Sequence, residues 1–345
     1  MGLGYSLVSW NKQKKKYDRI VWLLMALYLV LFASLTILLN PNTSLETLII
    51  RAFGSMALIM LHIVLAIGPL TRLDKRFLPL LYNRRHLGVS MFFAALVHGV
   101  FSIIQFHALG NYNPFVSIFI SNLDYASLTN FPFQVLGFLS LIVLFLMAAT
   151  SHDFWLANLG AKTWKTLHTF VYLAYFMLIG HVFLGAFQQE LSALPLILLM
   201  IGFVALAWLH LTTARIENQK DSHPVEAEEG WAYVCRVDEI ENDRAKLFTY
   251  QGERIAVFKY NGKISAVNNV CRHQGGPLSE GKIIDGCITC PWHGYQYRPE
   301  DGQSPPPFTE KVETYSLKLK GNDIYIMVKA HDAGTFVEPL NCAHE

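Results

Sequence analysis

The chain has 345 residues, of which 52% are hydrophobic and 16% are charged, and its mean hydropathy is +0.31. This composition is too apolar for a soluble protein of this length. The net charge of +2 hides an asymmetry, because residues 1–211 hold 13 basic and 6 acidic side chains whereas residues 212–345 hold 15 and 20. We therefore expect a membrane domain with a basic inner face, followed by a mildly acidic cytoplasmic domain.

Six apolar runs between residues 20 and 211 are long enough to cross a hydrocarbon core about 30 Å thick, which requires about 20 helical residues. We predict a six-helix transmembrane α bundle over residues 20–211, preceded by a basic N-terminus over residues 1–19. The six runs are Ile20–Leu39, Leu48–Leu70, His86–Ala108, Phe133–Ser151, Thr166–Phe187 and Leu191–Leu211.

Positive charge alternates between the successive loops of this bundle and predicts its orientation. Lys and Arg occur in the N-terminus and in the loops after the second and fourth runs, whereas segments 40–47, 109–132 and 188–190 contain none. By the positive-inside rule the N-terminus is cytoplasmic, and six crossings return the C-terminus to the same side. We expect an integral protein of a bacterial inner membrane with both termini in the cytoplasm.

Several histidines lie inside the predicted helices, where such a side chain is costly unless it pairs or binds a ligand, and three of them have the depth that haem ligands require. His98 lies on the third helix, while His168 and His181 lie thirteen residues apart on the fifth, which is about 20 Å of helix rise. Counted from the basic loops, His98 and His181 lie at comparable depths. They are therefore candidates for the two axial ligands of one haem, with His168 nearer the inner surface.

Three short motifs lie around these histidines. They are Ile67-Gly-Pro-Leu-Thr-Arg72, then Arg84-Arg-His-Leu-Gly88 with His98, then Trp164-Lys-Thr-Leu-His168 with His181. With these motifs the sequence resembles the ferric-reductase-like transmembrane family, over roughly residues 48–210. That family includes the haem membrane subunits of periplasmic methionine sulfoxide reductase systems. The resemblance implies that His98, His168 and His181 are ligands of haem b, with one or two haems in the chain.

Other polar residues of the membrane domain have more than one interpretation each. His86, at the inner end of the third helix, is either the partner of His168 in a two-haem arrangement or an interfacial histidine of a basic loop. His62 lies mid-membrane on the second helix, where it hydrogen-bonds a propionate, a quinone or a neighbouring side chain. The remaining candidates for binding haem propionates, whose charge the positive-inside rule explains equally well, are Arg84, Arg85 and Lys165.

Beyond the bundle, the sequence changes to short alternating segments separated by turns. Residues 212–230 are polar and contain Pro224, and we interpret them as a linker. In residues 231–330, Asn261-Gly262 joins two strand-like runs in a predicted tight hairpin, so we predict a small all-β domain there. Residues 331–345 are expected to form a polar tail.

The β domain contains two metal-ligand motifs, Cys271-Arg-His273 and Cys290-Pro-Trp-His293. Each supplies one thiolate and one imidazole, which suits an iron pair in which one iron takes sulfur ligands and the other takes nitrogen. A structural zinc site accepts the same ligand types, but zinc fingers place the two cysteines together and the two histidines together. The motifs closely resemble the Rieske [2Fe–2S] family, which implies that Cys271, His273, Cys290 and His293 hold the cluster.

The same resemblance predicts a cluster of low potential. Family members with the highest potentials carry a disulfide between the two cluster loops, but the matching positions here are Gly276 and Trp292. A serine that hydrogen-bonds the cluster is replaced by Tyr295, while the nearby tyrosine is kept as Tyr297, and fewer hydrogen bonds to sulfur lower the potential. The thiols without a predicted role are Cys235, Cys287 and Cys342.

The sequence predicts an electron-transfer protein. No Gly-x-Gly-x-x-Gly follows a predicted strand, so we expect no dinucleotide-binding fold, and the 52 residues after His293 are too few for the catalytic domain of a ring-hydroxylating oxygenase. We predict a membrane oxidoreductase that passes electrons from a cytoplasmic flavin reductase or ferredoxin, through the cluster and haem b, to an acceptor at the outer face or in the membrane. That acceptor is a redox protein, a quinone or a metal ion, and no nucleic-acid partner is expected. Two alternatives stay open: quinol-linked transfer in the reverse direction, and a redox sensor.

Overall fold

The computed structural model describes residues 12–81, 83–151, 155, 159, 161–189, 193–221, 226–273, 275–292 and 294–342. The chain divides into two compact units, residues 1–211 and 212–345. The first unit is helical and the second is built mainly of β-strands, as the change in sequence pattern predicts.

The described residues form nine α-helices, and the long ones follow the apolar runs of the sequence. Ser44 begins the second helix, since its side chain accepts a hydrogen bond from the Thr47 amide at 3.2 Å. The helices are α1 (Lys12–Leu39), α2 (Leu45–Leu73), α3 (Leu78–Leu81), α4 (Arg84–His107), α5 (Pro114–Ile120), α6 (Phe133–Ala149), α7 (Ala161–Thr169), α8 (Val171–Gln189) and α9 (Leu194–Asp221).

Five helical segments of the described residues are long and apolar enough to cross a membrane, which confirms that this is an integral membrane protein. Helix α6 is also apolar, but it has 17 residues, or about 25 Å of helix rise against a hydrocarbon core of about 30 Å. The count of six spans therefore stays a prediction. The five segments are Lys15–Leu39, Leu45–Leu73, Arg84–His107, Thr163–Gln188 and Leu194–Gln219.

Two antiparallel helix pairs form the centre of the first unit. In the pair α2–α4, the side-chain amide of Gln105 donates to Thr47 Oγ1 at 3.2 Å, near the beginning of α2 and the end of α4. In the pair α6–α8, the Oγ of Ser140, which is fully buried, donates to its own helix and lies 3.2 Å from the carbonyl of Ala174. Small and apolar residues let the helices of each pair approach closely, as is usual in membranes.

The second unit consists of three antiparallel sheets. Their strand orders are β1-β2-β11-β10, β12-β5-β4-β3 with β9 also paired to β5, and β6-β7-β8. The strands are β1 (Ala227–Glu228), β2 (Trp231–Arg236), β3 (Arg244–Tyr250), β4 (Glu253–Tyr260), β5 (Lys263–Asn268), β6 (Lys282–Ile284), β7 (Cys287–Thr289), β8 (Gln296–Tyr297), β9 (Thr314–Tyr315), β10 (Leu317–Lys320), β11 (Asp323–Met327) and β12 (Leu340–Asn341).

Strand β4 is buried on both faces and separates two apolar cores. Ile255 and Val257 point into one core, while Ala256 and Phe258 point into the other, as the two-residue period of a strand requires. The predicted hairpin with β5 is confirmed, because Tyr260 pairs with Lys263 and the two turn residues between them have positive φ. The second core includes the cysteines of the two predicted cluster motifs, Cys271 and Cys290.

The predicted linker, residues 212–230, differs from the structure over its first half. Helix α9 continues to Asp221, because residues 212–221 contain neither Pro nor Gly and half of them are good helix formers. Arg254 of β4 forms ion pairs with Glu217 at 2.9 Å and with Asp221 at 2.6 Å, which secures this helix end within the second unit. Residues 222–225, which contain Pro224, lie outside the described residues.

The predicted ends of the chain also differ in part. Helix α1 begins at Lys12, inside the segment interpreted as the basic N-terminus, while residues 1–11 lie outside the described part of the chain. In the predicted tail, Leu340 pairs with Ile264 and so adds the edge strand β12 to the central sheet. The reason is apolar burial, since Leu340 and Cys342 pack against the first core.

Candidate functional site

The two cysteine motifs fold into loops with the same backbone hydrogen bonds. The amide of Cys271 donates to the carbonyl of residue 276 at 2.9 Å, and that of Cys290 donates to the carbonyl of residue 295 at 2.8 Å. In each loop, the glycine four residues after the cysteine donates back to the cysteine carbonyl, at 2.7 Å for Gly275 and 2.9 Å for Gly294. Both glycines have φ above +70°, which other residues rarely adopt.

Both loop cysteines are buried, each with 1% of its surface exposed. The loops pack closely, because a Cβ placed on Gly276 would lie 2.8 Å from Cys290 Sγ and 3.1 Å from the Trp292 ring. The hydroxyl of Tyr297 lies 3.4 Å from Cys271 Sγ and accepts a hydrogen bond from the Arg272 amide at 3.0 Å. Two thiols in a dry cradle with a hydroxyl beside one sulfur fit the sulfur-ligated side of a [2Fe–2S] cluster.

The imidazole of His273 lies flat against the ring of Tyr295, with 4.7 Å between ring centroids and 10° between planes. The Tyr295 hydroxyl donates to Glu310, and Phe308 contacts the same ring. Burial, and then the hydrogen bond to Glu310, raise the pKa of Tyr295, so this residue stays neutral. The sequence indicated that Tyr295 replaces a hydrogen-bonding serine, but it did not indicate this stacking on a cluster histidine.

His293, the fourth predicted cluster ligand, lies outside the described residues. Among the residues that are described, no three His, Cys, Asp or Glu side chains come together as a site for a single metal ion. In a Rieske cluster each iron takes only two protein ligands. The four-residue ligand set therefore stays a prediction, supported by the matched loops and the two buried thiols.

In the membrane unit, His98 and His181 face each other. Their ring centroids are 6.2 Å apart and their planes are inclined by 79°. Two imidazoles that held one iron between them would have their ring centroids about 6 Å apart. Each metal–nitrogen bond would be about 2 Å long, and each centroid lies about 1 Å beyond its nitrogen. Each Nδ1 donates to a backbone carbonyl at 2.9 Å, that of Ile50 for His98 and that of Phe133 for His181. Each Nε2 is thus the nitrogen available to a metal, and the pair fits a haem iron.

The two histidines occupy equivalent places in the two helix pairs. In the pair α2–α4, the carbonyl of Ile50 accepts the hydrogen bond from His98, and Gly54 lies one helical turn after Ile50. In the pair α6–α8, the same three places are taken by Phe133, His181 and Gly137. Each of these residues lies 83 positions after its counterpart in the first pair. The sequence analysis missed this repeat, because most of the matched positions hold different residues and the identities among them, such as Leu58 with Leu141, are common in any pair of apolar helices.

His86 and His168 have different neighbours. His86 Nδ1 lies 2.9 Å from Asp18 of α1. The ring of His168 stacks on Trp164 at 3.9 Å between centroids, and its Nε2 lies 3.3 Å from Thr150 Oγ1. The structure therefore brings His86 to Asp18 rather than to His168. The inner haem site predicted for these two histidines stays a prediction.

His62 has a protein partner at each ring nitrogen. Its Nδ1 donates to the Leu58 carbonyl at 2.9 Å, and its Nε2 accepts from the Tyr175 hydroxyl at 3.0 Å. This geometry favours the interpretation in which His62 pairs with a neighbour. Of the three residues predicted to bind propionates, Arg84 and Arg85 are the first two residues of α4, and Lys165 is exposed on α7.

Comparison with known proteins yields two family matches in one chain. The model of the Rieske [2Fe-2S] domain matches residues 230–316, and the model of the ferric reductase like transmembrane component matches residues 53–179. The second match includes His98 and His168 and ends two residues before His181.

Similar proteins match the chain through the β domain. The 3-phenylpropionate/cinnamic acid dioxygenase ferredoxin subunit of Photorhabdus laumondii is 33% identical over 98 residues, which is 28% of this chain and 92% of that protein. Cholesterol 7-desaturase nvd 1 of Ciona intestinalis is 33% identical over 89 residues, 25% of this chain and 19% of that protein. The chain thus spans less than a fifth of the length of the desaturases that it matches. The crystallised ferredoxin of carbazole 1,9a-dioxygenase from Nocardioides aromaticivorans is 22% identical, with a TM-score of 0.27 over 28% of this chain and 96% of that chain.

Proposed function

The chain belongs to the Rieske [2Fe–2S] family through its β domain and carries a ferric-reductase-like transmembrane component, and on that premise we propose that it carries electrons between a cytoplasmic donor and an acceptor at the outer face or in the membrane. The observation that carries the proposal is the pairing, in one membrane protein, of a two-loop cysteine cradle with two facing intramembrane histidines. Either site alone would suit a soluble ferredoxin or a simple cytochrome. Together they suit electron transfer that involves both the cytoplasm and the membrane.

In the β domain, Cys271, His273, Cys290 and His293 are the residues that we propose as cluster ligands. A [2Fe–2S] cluster bound there takes up and releases one electron, as a b haem does in the membrane unit. The buried cysteines exclude water from the sulfur side, and Tyr297 places a hydroxyl beside Cys271 Sγ. Burial, together with the charge of the Cys271 thiolate, raises the pKa of Tyr297. The hydroxyl therefore keeps its proton and can donate a hydrogen bond to sulfur.

In the membrane unit, we propose His98 and His181 as the axial ligands of haem b. Their Nδ1–H groups are held by backbone carbonyls, which fixes the tautomer and directs Nε2 of each ring to the metal position. A second haem held by His168 and His86 is the alternative arrangement, with Arg84, Arg85 and Lys165 as candidates for binding propionates.

The direction of transfer is also a proposal. Lys and Arg are confined to alternate loops, which supports cytoplasmic termini, so the donor is a cytoplasmic flavin reductase or ferredoxin. The acceptor is a redox protein, quinone or metal ion at the outer face or in the membrane. A bacterial inner membrane is the proposed location.

The proposal is tested with the full chain in lipid nanodiscs. NADH with a ferredoxin reductase that serves soluble Rieske ferredoxins is added without oxygen, and haem reduction is followed by its absorbance. We expect reduction in the wild type and none in Cys290→Ser, because a serine alkoxide is a poor substitute for a thiolate ligand. Dithionite should still reduce the haem of that variant, which shows that the haem site is intact. Equal haem reduction in both proteins would contradict transfer by way of the cluster.

A further inference from the structure

Gly54 and Gly137 lie directly against the two facing histidines. A Cβ placed on Gly54 would be 2.7 Å from His98 Nδ1, and one placed on Gly137 would be 2.7 Å from both Nδ1 and Cε1 of His181. Non-bonded carbon atoms pack best at about 3.5–4.0 Å. Neither position therefore accepts a methyl group unless the imidazole moves.

The imidazoles are held on a second side as well. Each glycine lies four residues, or one helical turn, after the carbonyl that accepts the Nδ1 hydrogen of the same histidine, Ile50 before Gly54 and Phe133 before Gly137. A ring pushed away from the glycine would strain or break this hydrogen bond. The carbonyl and the glycine together thus fix both the place and the plane of the ring.

We propose that Gly54 and Gly137 are positioning residues that set the orientation of the haem-ligand imidazoles. The inference rests on the proposed haem site between His98 and His181. Because the arrangement occurs twice, with the rings inclined by 79°, each helix pair orients one axial ligand independently. The angle between axial imidazole planes determines the splitting of the iron d orbitals, so the g-values of the ferric haem report it.

The experiment uses the full chain with Gly54→Ala or Gly137→Ala. Alanine is a better helix former than glycine, so a defect would come from the contacts of the added methyl group and not from a loss of helix propensity. We expect each variant to shift the largest g-value of the ferric haem and its midpoint potential. Haem per chain should fall at least twofold, because a displaced imidazole would hold the iron less well.

Two glycines of α4 provide matched controls. A Cβ on Gly99 would lie equally close, 2.7 Å, to a Leu141 methyl group, whereas a Cβ on Gly88 would meet nothing within 4 Å. Gly99→Ala and Gly88→Ala should keep the wild-type g-values and potential. Wild-type values in Gly54→Ala and Gly137→Ala, or the same shift in Gly99→Ala, would overturn the inference.

A second test applies if Gly54→Ala does not accumulate in the membrane. The double variant Gly54→Ala with His98→Ala removes the ring that the methyl group meets, so accumulation should return to that of His98→Ala alone. Continued failure of the double variant would show that the glycine serves helix packing and not the imidazole. A wild type that binds the cluster but no haem would instead overturn the proposed function itself, whatever the glycine variants do.

Discussion

At the scale of single residues, the hydroxyl of Tyr297 is the polar group that lies beside a cluster cysteine. This hydroxyl lies 3.4 Å from Cys271 Sγ, and the tyrosine that carries it is fully buried. Tyr297→Phe removes a hydrogen bond that favours the reduced, more negative cluster. Since a hydrogen bond contributes about 1 kcal/mol, the midpoint potential should fall by on the order of 40 mV, measured by film voltammetry, with the cluster still bound.

The matched control is Tyr315→Phe. The Tyr315 hydroxyl is also buried, but it donates to Glu253 at 2.6 Å and its ring belongs to the other core. This variant loses a buried hydrogen bond and some stability, yet its potential should equal that of the wild type. A potential unchanged in Tyr297→Phe would mean that its hydroxyl does not interact with the cluster sulfur.

The proposed haem ligands give a second residue-scale prediction. His98→Ala and His181→Ala should each remove the haem between these residues, as measured by haem content per chain. His86→Ala should retain full haem content, because its ring is held by Asp18 and lies twelve residues, or about 120° of helix rotation, from His98. Loss of about half the haem in both His86→Ala and His168→Ala would instead support a second haem on these two residues.

Sequence reasoning recovers the chemistry of these residues but not their surroundings. The cluster motifs and the depths of His98 and His181 follow from ligand type and hydropathy. Three features depend on contacts between distant segments: the Tyr295 ring on His273, the Asp18 partner of His86, and the close approach of His98 to Gly54. Periodicity within one segment contains no information about these contacts.

At the scale of elements, the first cluster loop depends on the segment that follows strand β5. Asn269 is 3% exposed, and its side-chain oxygen accepts from the Ser279 amide at 2.7 Å, just beyond the loop. Asn269→Ala leaves that amide without its acceptor, which costs about 1–3 kcal/mol. The temperature at which the cluster absorbance is lost should fall by several degrees.

The control for this prediction is Asn322→Ala. Its amide donates to Asp238 at the surface, at 2.9 Å, so water can replace the lost bond and the transition should move little. Equal temperatures for Asn269→Ala and the wild type would show that the loop is held by its remaining backbone bonds.

The elements themselves were predictable where a single period or composition dominates. The long helices and the β4–β5 hairpin follow from apolar runs and from Asn261-Gly262. The end of α9 was placed too early, because a polar composition does not end a helix whose side chains form ion pairs, as Glu217 and Asp221 do with Arg254. The strand β12 was missed because two residues produce no periodic signal.

At the scale of the whole molecule, the short helix α6 determines how many times the chain crosses the membrane. It runs antiparallel to the candidate span Thr163–Gln188 along its entire length. Phe133 contacts His181 near one end, Ser140 contacts Ala174 in the middle, and Trp164 donates to the Thr150 carbonyl just beyond the other end. We expect a helix that pairs over its own whole length with a spanning helix to cross the hydrocarbon core as well, with tilt or local thinning accommodating its length.

We therefore expect six crossings, an even number, and hence both termini on the same side. Five crossings without α6 would place the termini on opposite sides. The measurement uses two reporter fusions in a bacterial host, placed at each terminus and within segment 109–132. One reporter is a fluorescent protein that matures in the cytoplasm, and the other is an alkaline phosphatase that folds only outside it. The termini should fluoresce without phosphatase activity, and the fusion within 109–132 should show the reverse, because that segment contains no Lys or Arg. Phosphatase activity at the C-terminus alone would exclude α6 as a span and would place the Rieske domain outside the cytoplasm, where the proposed donor could not reach it.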